Sequence, residues 1–212
     1  MIKKTTTAQA AAAQVANPES GEMLNIKYFK GSPKQYRFNG QTGRFNIDGI
    51  TDQGAKLTIQ PLAWRIFKDD LFGRNKMDDW AEIFFVDATG CVSGIMFNNS
   101  SVIELMDLVP RLFYAEKNLS DVVLTITCEK KSTDKGGEKV TWYLAKFDFE
   151  EAPADAVAYL TKFAEENPIF RRDTITANPV YISVSDSYPM ATAQAIAASL
   201  TEKPETTDRV AA

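Results

Sequence analysis

The feature that most limits what this chain can fold into is a run of alternating apolar and polar residues between positions 54 and 150, interrupted once by a segment of helical period. From Lys56 to Phe67, Leu57 and Ile59 alternate with Lys56, Thr58 and Gln60, which reads as one long strand. Pro61 lacks an amide donor and should bend that strand or place it at an edge. Trp80–Val86 and Cys91–Phe97 read as a hairpin around the turn Asp87-Ala88-Thr89-Gly90. In residues 100–117 the period changes. Val102, Leu105, Met106, Val109, Leu112 and Phe113 recur at helical spacing, Ser100 or Ser101 is the expected N-cap with Glu104 as in a capping box, and Pro110 should kink or divide the helix. Alternation then returns in Val122–Cys128 and in Val140–Phe149, with a charged loop at Lys130–Lys139 between them.

The flanks read differently. Residues 1–23 are rich in Thr, Ala and Gln and read as a flexible tail rather than a secretion signal. Residues 24–53 read as an extension of short strands: Leu24–Tyr28, then Tyr36 and Phe38, then Phe45 and Ile47 after the Asn39-Gly40 turn. Residues 151–200 read as an appendix of helix, strand and helix. Asp155 caps the first helix, Val180–Val184 forms the strand, and Pro189–Leu200 forms the second helix. Residues 201–212 read as a disordered tail.

Composition removes several classes of function. The 212 residues include no histidine, so the commonest general base and the commonest metal ligand are missing, along with every Ser–His or Cys–His pair. Two cysteines, Cys91 and Cys128, are too few for a disulfide framework or a Cys-based zinc site and suit a reducing cytoplasm. The longest apolar runs are a few residues, against the about 20 that a membrane helix needs. The acid pairs Asp69-Asp70 and Asp78-Asp79 lack an accompanying ligand pattern, so neither a metal nor a cofactor is expected. The net charge is −4, yet Leu24–Ile47 holds Lys27, Lys30, Lys34, Arg37 and Arg44 with no acid, beside Tyr28, Phe29, Tyr36, Phe38 and Phe45.

The order of strand, hairpin, helix and two strands is that of a five-stranded Greek-key barrel. The segment Phe84-Phe85-Val86-Asp87-Ala88-Thr89-Gly90-Cys91-Val92-Ser93-Gly94-Ile95-Met96-Phe97-Asn98, followed by Val102–Leu108, resembles replication protein A-like OB-folds of phage or mobile-element type. There a strand ends in Val-Asp, a turn with glycine follows, and a strand ending in an aromatic and Asn leads into a helix. The expected architecture is therefore mainly β: an OB-fold core over residues 54–150, with extra N-terminal strands and a C-terminal α/β appendix. The resemblance implies a non-catalytic protein that binds single-stranded DNA, with RNA as the alternative, in replication or recombination.

Such a ligand needs cations for phosphates and aromatic rings for unstacked bases. Alternation puts Arg65 and Phe67 on one strand face, Phe84 on the hairpin opposite Ile83 and Phe85, and Trp142 with Lys146 opposite the apolar row Tyr143, Ala145, Phe147 and Phe149. Lys130 and Lys131, with Lys135 and Lys139, would clamp phosphates, and Lys27, Lys30, Lys34, Arg37 and Arg44 form a second basic stretch. The competing reading is a structural or assembly protein that uses the barrel for protein contacts. Among enzymes, a carboxylate-dependent nuclease fits best. Residues 151–200 are the expected surface for a second copy or a replication partner, because the tail 201–212 carries Lys203 and Arg209 against Glu202, Glu205 and Asp208 and is not strongly acidic.

Overall fold

A computed structural model describes residues 25–172 and 179–189. The expected tails 1–23 and 201–212, and all but the first residue of the expected helix 189–200, lie outside the described residues. The protein is mainly β. Among the described residues, ten strands form two sheets: β1 (Lys34–Asn39), β2 (Arg44–Ile47), β3 (Thr51–Gly54), β4 (Lys56–Ile59), β5 (Pro61–Asp69), β6 (Asp78–Val86), β7 (Val92–Asn98), β8 (Val122–Lys135), β9 (Glu138–Glu151) and β10 (Val180–Val184). The larger sheet has the order β10-β5-β6-β7-β1-β2-β3, and the smaller has the order β4-β8-β9. Among the described residues, three helices of more than one turn accompany them: α1 (Ser100–Met106), α2 (Val109–Tyr114) and α3 (Ala154–Glu166). No helix among the described residues is long and apolar enough to cross a membrane.

The expected closed five-stranded barrel is not formed. Its first strand breaks at Gln60–Pro61, so β4 pairs with β8 while β5 pairs with β6. Proline donates no ladder hydrogen bond and is tolerated as the first residue of a strand, which is where Pro61 stands. Closure is also blocked at the other end. β7 already has β6 on one edge and takes β1 as a parallel partner on the other, with Lys34 opposite Ser93 and Arg37 opposite Met96. β9 instead ends against a turn and a helix. The Tyr143 amide donates to the Gly40 carbonyl at 2.7 Å, and the Ala145 amide donates to Ser101 Oγ at 3.0 Å. Gly43 is required here, because a Cβ at its φ of +68° would meet the Tyr143 ring at 2.6 Å.

Other expectations are corrected locally. Residues 130–139 are not a loop: β8 and β9 pair continuously to Lys135–Glu138, around the turn at Gly136-Gly137. Glycines supply the positive φ that a tight hairpin turn needs. In the described part of the expected strand 24–28, only Lys27 bridges, to Cys91. The N-cap of α1 is Asn99 at φ 46°, a left-handed position that Asn tolerates better than Ser, and the N-cap of α3 is Pro153 rather than Asp155. Pro110 stands in the first turn of α2, so the helix is divided as expected. Division rotates the apolar stripe: Leu108 and Leu112 are buried, while Val109 and Phe113 face outward.

Two cores follow. One lies between the sheets and beneath α1 and α2, where Ile66, Ile83, Phe85, Ile95 and Phe97 meet Leu124, Ile126, Ala145, Phe147, Val102 and Leu105. The second lies on the opposite face of the large sheet, where Ala63, Phe84, Val86 and Val92 are covered by Ala156, Leu160 and Ala164 of α3 and by Ile169, Phe170 and Tyr188.

Asp87 joins these parts at the β6–β7 turn. Its Oδ1 accepts the Thr89 amide at 2.8 Å, the Thr89 hydroxyl at 2.6 Å and the Cys91 amide at 3.1 Å. Its Oδ2 accepts Lys34 Nζ at 2.7 Å, Ser93 Oγ at 3.2 Å and the Tyr36 hydroxyl at 3.3 Å. Burial pushes this carboxyl up, but the bonds from Lys34, Thr89 and the backbone amides outweigh it and hold the pKa at about 2, against an ordinary 3.8. The stabilisation is therefore complete above pH 3.8 and is lost as pH falls through that value toward about 2. Asp87→Asn is expected to remove on the order of 2 kcal/mol at neutral pH and to flatten the acid limb of stability. Urea titrations of both chains from neutral pH to below 3 measure this, and parallel acid limbs would contradict it.

Candidate nucleic-acid interface

The outer face of the large sheet carries Arg65, Phe67 and Phe84, whereas Trp142 and Lys146 lie on β9 of the smaller sheet, and half of the large sheet's outer face is closed. Arg65 on β5 and Glu82 on β6 are direct cross-strand partners, and both side chains are 0% exposed. Arg65 Nη2 and Nε lie 2.7 and 2.8 Å from Glu82 Oε2, and Arg171 Nε lies 3.1 Å from Oε1. The Arg65 guanidinium stands 4.4 Å from the Phe67 ring centre and 5.1 Å from that of Tyr188. Burial disfavours its charge, yet Glu82 outweighs burial and keeps it protonated. Phe84 is buried beneath Tyr188, with ring centres 6.2 Å apart.

Arg65, Phe67 and Phe84 are thus internal and not the surface contacts expected of them. α3 and the chain after it cover this half of the sheet. Other expected contacts are engaged within the protein. Lys34 binds Asp87, Arg44 binds Asp52, and Lys131 binds Glu129 at 2.6 Å. Lys146 binds Glu104 of α1 and lies 3.8 Å from Glu129. Trp142 is half-buried opposite Lys131 on the hairpin. Lys27, Lys30, Arg37 and Lys130 are exposed and make no ion pair among the described residues.

The open half of the same face forms a groove of about 380 Å³. Gln35 and Arg37 of β1, Met96 and Asn98 of β7, Trp80 of β6, Phe72 and Arg74 of the β5–β6 loop, and Arg171 line it, with Tyr36 and Phe38 at its border. None of these residues is acidic. Arg171 donates to the Gln35 side chain, which fixes its guanidinium against the floor. Arg74 stands over two rings, 5.9 Å from the centre of Phe72 and 5.6 Å from that of Trp80. Its nearest carboxylate is Asp78 at 3.9 Å, which Lys76 holds more closely at 2.7 Å.

Phe72 is 66% exposed and sits at φ 64° inside a 3-10 turn, Leu71–Gly73. A phenylalanine in the left-handed region costs about 1–2 kcal/mol, and such strain gathers at ligand-binding positions. Here the outcome is a ring held edge-on to Trp80 at 5.6 Å and presented to water.

Reading the sequence brought Arg37 to this site and missed Phe72, Arg74, Trp80 and Arg171. The available signal was Phe72-Gly73-Arg74, an aromatic and a cation around glycine in an otherwise polar loop, since binding residues concentrate on loops held by a rigid scaffold. Comparisons with protein-family models, curated proteins and solved structures return no match.

Glu82→Gln is expected to cost about 3–5 kcal/mol of unfolding free energy, because it removes the carboxylate that compensates two buried guanidinium groups. Denaturant titration measures it. A loss within the about 0–1 kcal/mol of a surface pair would show that the cluster is open to water.

Proposed function

We propose that this chain is a non-catalytic single-stranded nucleic-acid-binding protein, with DNA as the expected ligand in replication or recombination, and that the strand lies in the groove between β1, β7 and the β5–β6 loop. The observation that carries this reading is a groove with three arginines, an outward-facing phenylalanine and no acidic residue, in a chain of net charge −4. Phosphates would pair with Arg37 and Arg74 beside the buried Arg171, and a base would stack on Phe72. Stacking suits unpaired bases of any kind, because each presents a π-face, whereas duplex bases are already stacked. The chain order of β4–β5, β6, β7, α1, β8 and β9 also supports the reading, since it follows that of OB-folds despite the open barrel.

A second reading rests on a separate observation. Ile103, Val109, Phe113 and Tyr114 on α1 and α2 are all exposed, Phe113 by 74% and Tyr114 by 84%, which suits a protein contact.

Fluorescence anisotropy with labelled oligo-dT over a salt series separates the two. Salt-sensitive binding that outcompetes duplex of equal length supports the first, and no binding at low salt leaves the second. Phe72→Ala is expected to weaken binding by about 1–3 kcal/mol without lowering the melting temperature. Arg37→Ala is expected to reduce the salt slope by about one phosphate contact.

A further inference from the structure

Beyond the groove, a second aromatic–basic platform lies where the chain before β1 meets the chain after α3. Phe29 is 77% exposed, and Lys30 and Arg172 on either side of the contact are exposed too. Neither cation makes an ion pair among the described residues. The platform is rigidly built. The Tyr28 hydroxyl accepts the amides of Gly31 and Phe170, each at 3.1 Å, and donates to the Phe170 carbonyl at 3.1 Å. The Arg172 amide donates to the Gly31 carbonyl at 3.1 Å, and the Ser32 amide closes a turn onto Phe29 at 2.9 Å. Gly31, at φ +76°, allows Arg172 to lie flat on the turn, because a Cβ there would come within 2.8 Å of Arg172 Nε and of the Phe170 ring. Five hydrogen bonds thus fix the backbone that carries a ring and two cations that do nothing for the core.

The platform follows the groove along the chain, since Arg171 lines the groove and Arg172 is the next residue. Along the chain into β1, Arg37 is six residues from Gly31, a span of at most about 20 Å for extended chain. We infer that a single nucleic-acid strand bound in the groove continues across Arg171–Arg172 and stacks a second base on Phe29, with Lys30 and Arg172 holding the phosphates beside it. This rests on the nucleic-acid reading of the groove and adds a second stacking point, so the ligand is a strand of several nucleotides and not a mononucleotide.

The test is a length series of labelled oligo-dT, from about 4 to about 16 nucleotides, against the wild-type chain, Phe29→Ala and the double variant Lys30→Gln/Arg172→Gln, with melting temperatures measured alongside. Wild-type affinity is expected to climb with length until both platforms are spanned. Phe29→Ala is expected to lose about 5- to 150-fold in affinity for long oligomers, to change little for the shortest, and to keep its melting temperature. The double variant is expected to flatten the salt dependence with long oligomers only. If Phe29→Ala binds long oligomers as the wild type does, the second platform is refuted while the groove stands. If it binds normally but changes oligomeric state in sedimentation, Phe29 is a protein contact and the inference is likewise overturned. If the wild-type chain binds no oligomer of any length at low salt, it is the nucleic-acid reading itself that fails.

Discussion

Burying a carboxylate in a sheet face is costly unless charge and hydrogen bonds compensate it, and Glu82 is fully buried. Its compensation comes from two distant places, Arg65 on the neighbouring strand and Arg171 beyond α3. Arg171 also reaches Gln35 on β1, so one acid ties together β5, β6, the chain after α3 and the N-terminal strand. A hydrophobic contact would tolerate sliding, whereas a forked guanidinium against a carboxylate specifies direction. The chain after α3 is therefore held in one place over the sheet, where Tyr188 can stack on Phe84 and flank Arg65.

This cluster divides the outer sheet face. On one side of it, Ala63, Phe84 and Val86 are sealed beneath α3. On the other, Arg37, Arg74 and Met96 stay accessible around Trp80. Charges beside a low-dielectric wall act more strongly on a ligand than charges surrounded by water. Arg37 and Arg74 stand against such a wall, whereas Arg44 is paired with Asp52 in open solvent and Lys131 with Glu129. Local arrangement, not the net charge of −4, is what makes an anionic ligand reasonable for this protein.

Period and turn chemistry made much of the fold legible. The β6–β7 hairpin follows from alternation around Asp87–Gly90, the division of α1 from α2 from Pro110, and β10 from Val180, Ile182 and Val184. The barrel was not legible. Nothing in the alternation of Tyr36 and Phe38 says that β1 will pair in parallel with β7 and occupy the edge that a closing strand would need. The candidate site was legible at Arg37 alone, with Lys30 marking the neighbouring platform. Arg74 and Phe72 come from a loop that looked merely polar, and Arg171 comes from about 130 residues downstream, a separation over which local pattern carries no information.

Taken alone, the sequence determined which residues share a strand or helix face, where the chain must turn, and that no histidine-based chemistry is available, because these depend on backbone geometry and composition within a few residues. It determined that Arg65, Phe67 and Phe84 lie on one side of a sheet. Only the tertiary structure decided whether that side meets water. α3, Tyr188 and Tyr181 of β10 cover those three residues, and the same packing leaves Phe72, Arg74 and Arg37 outside, because burial depends on what the distant chain brings to a face and not on the face itself.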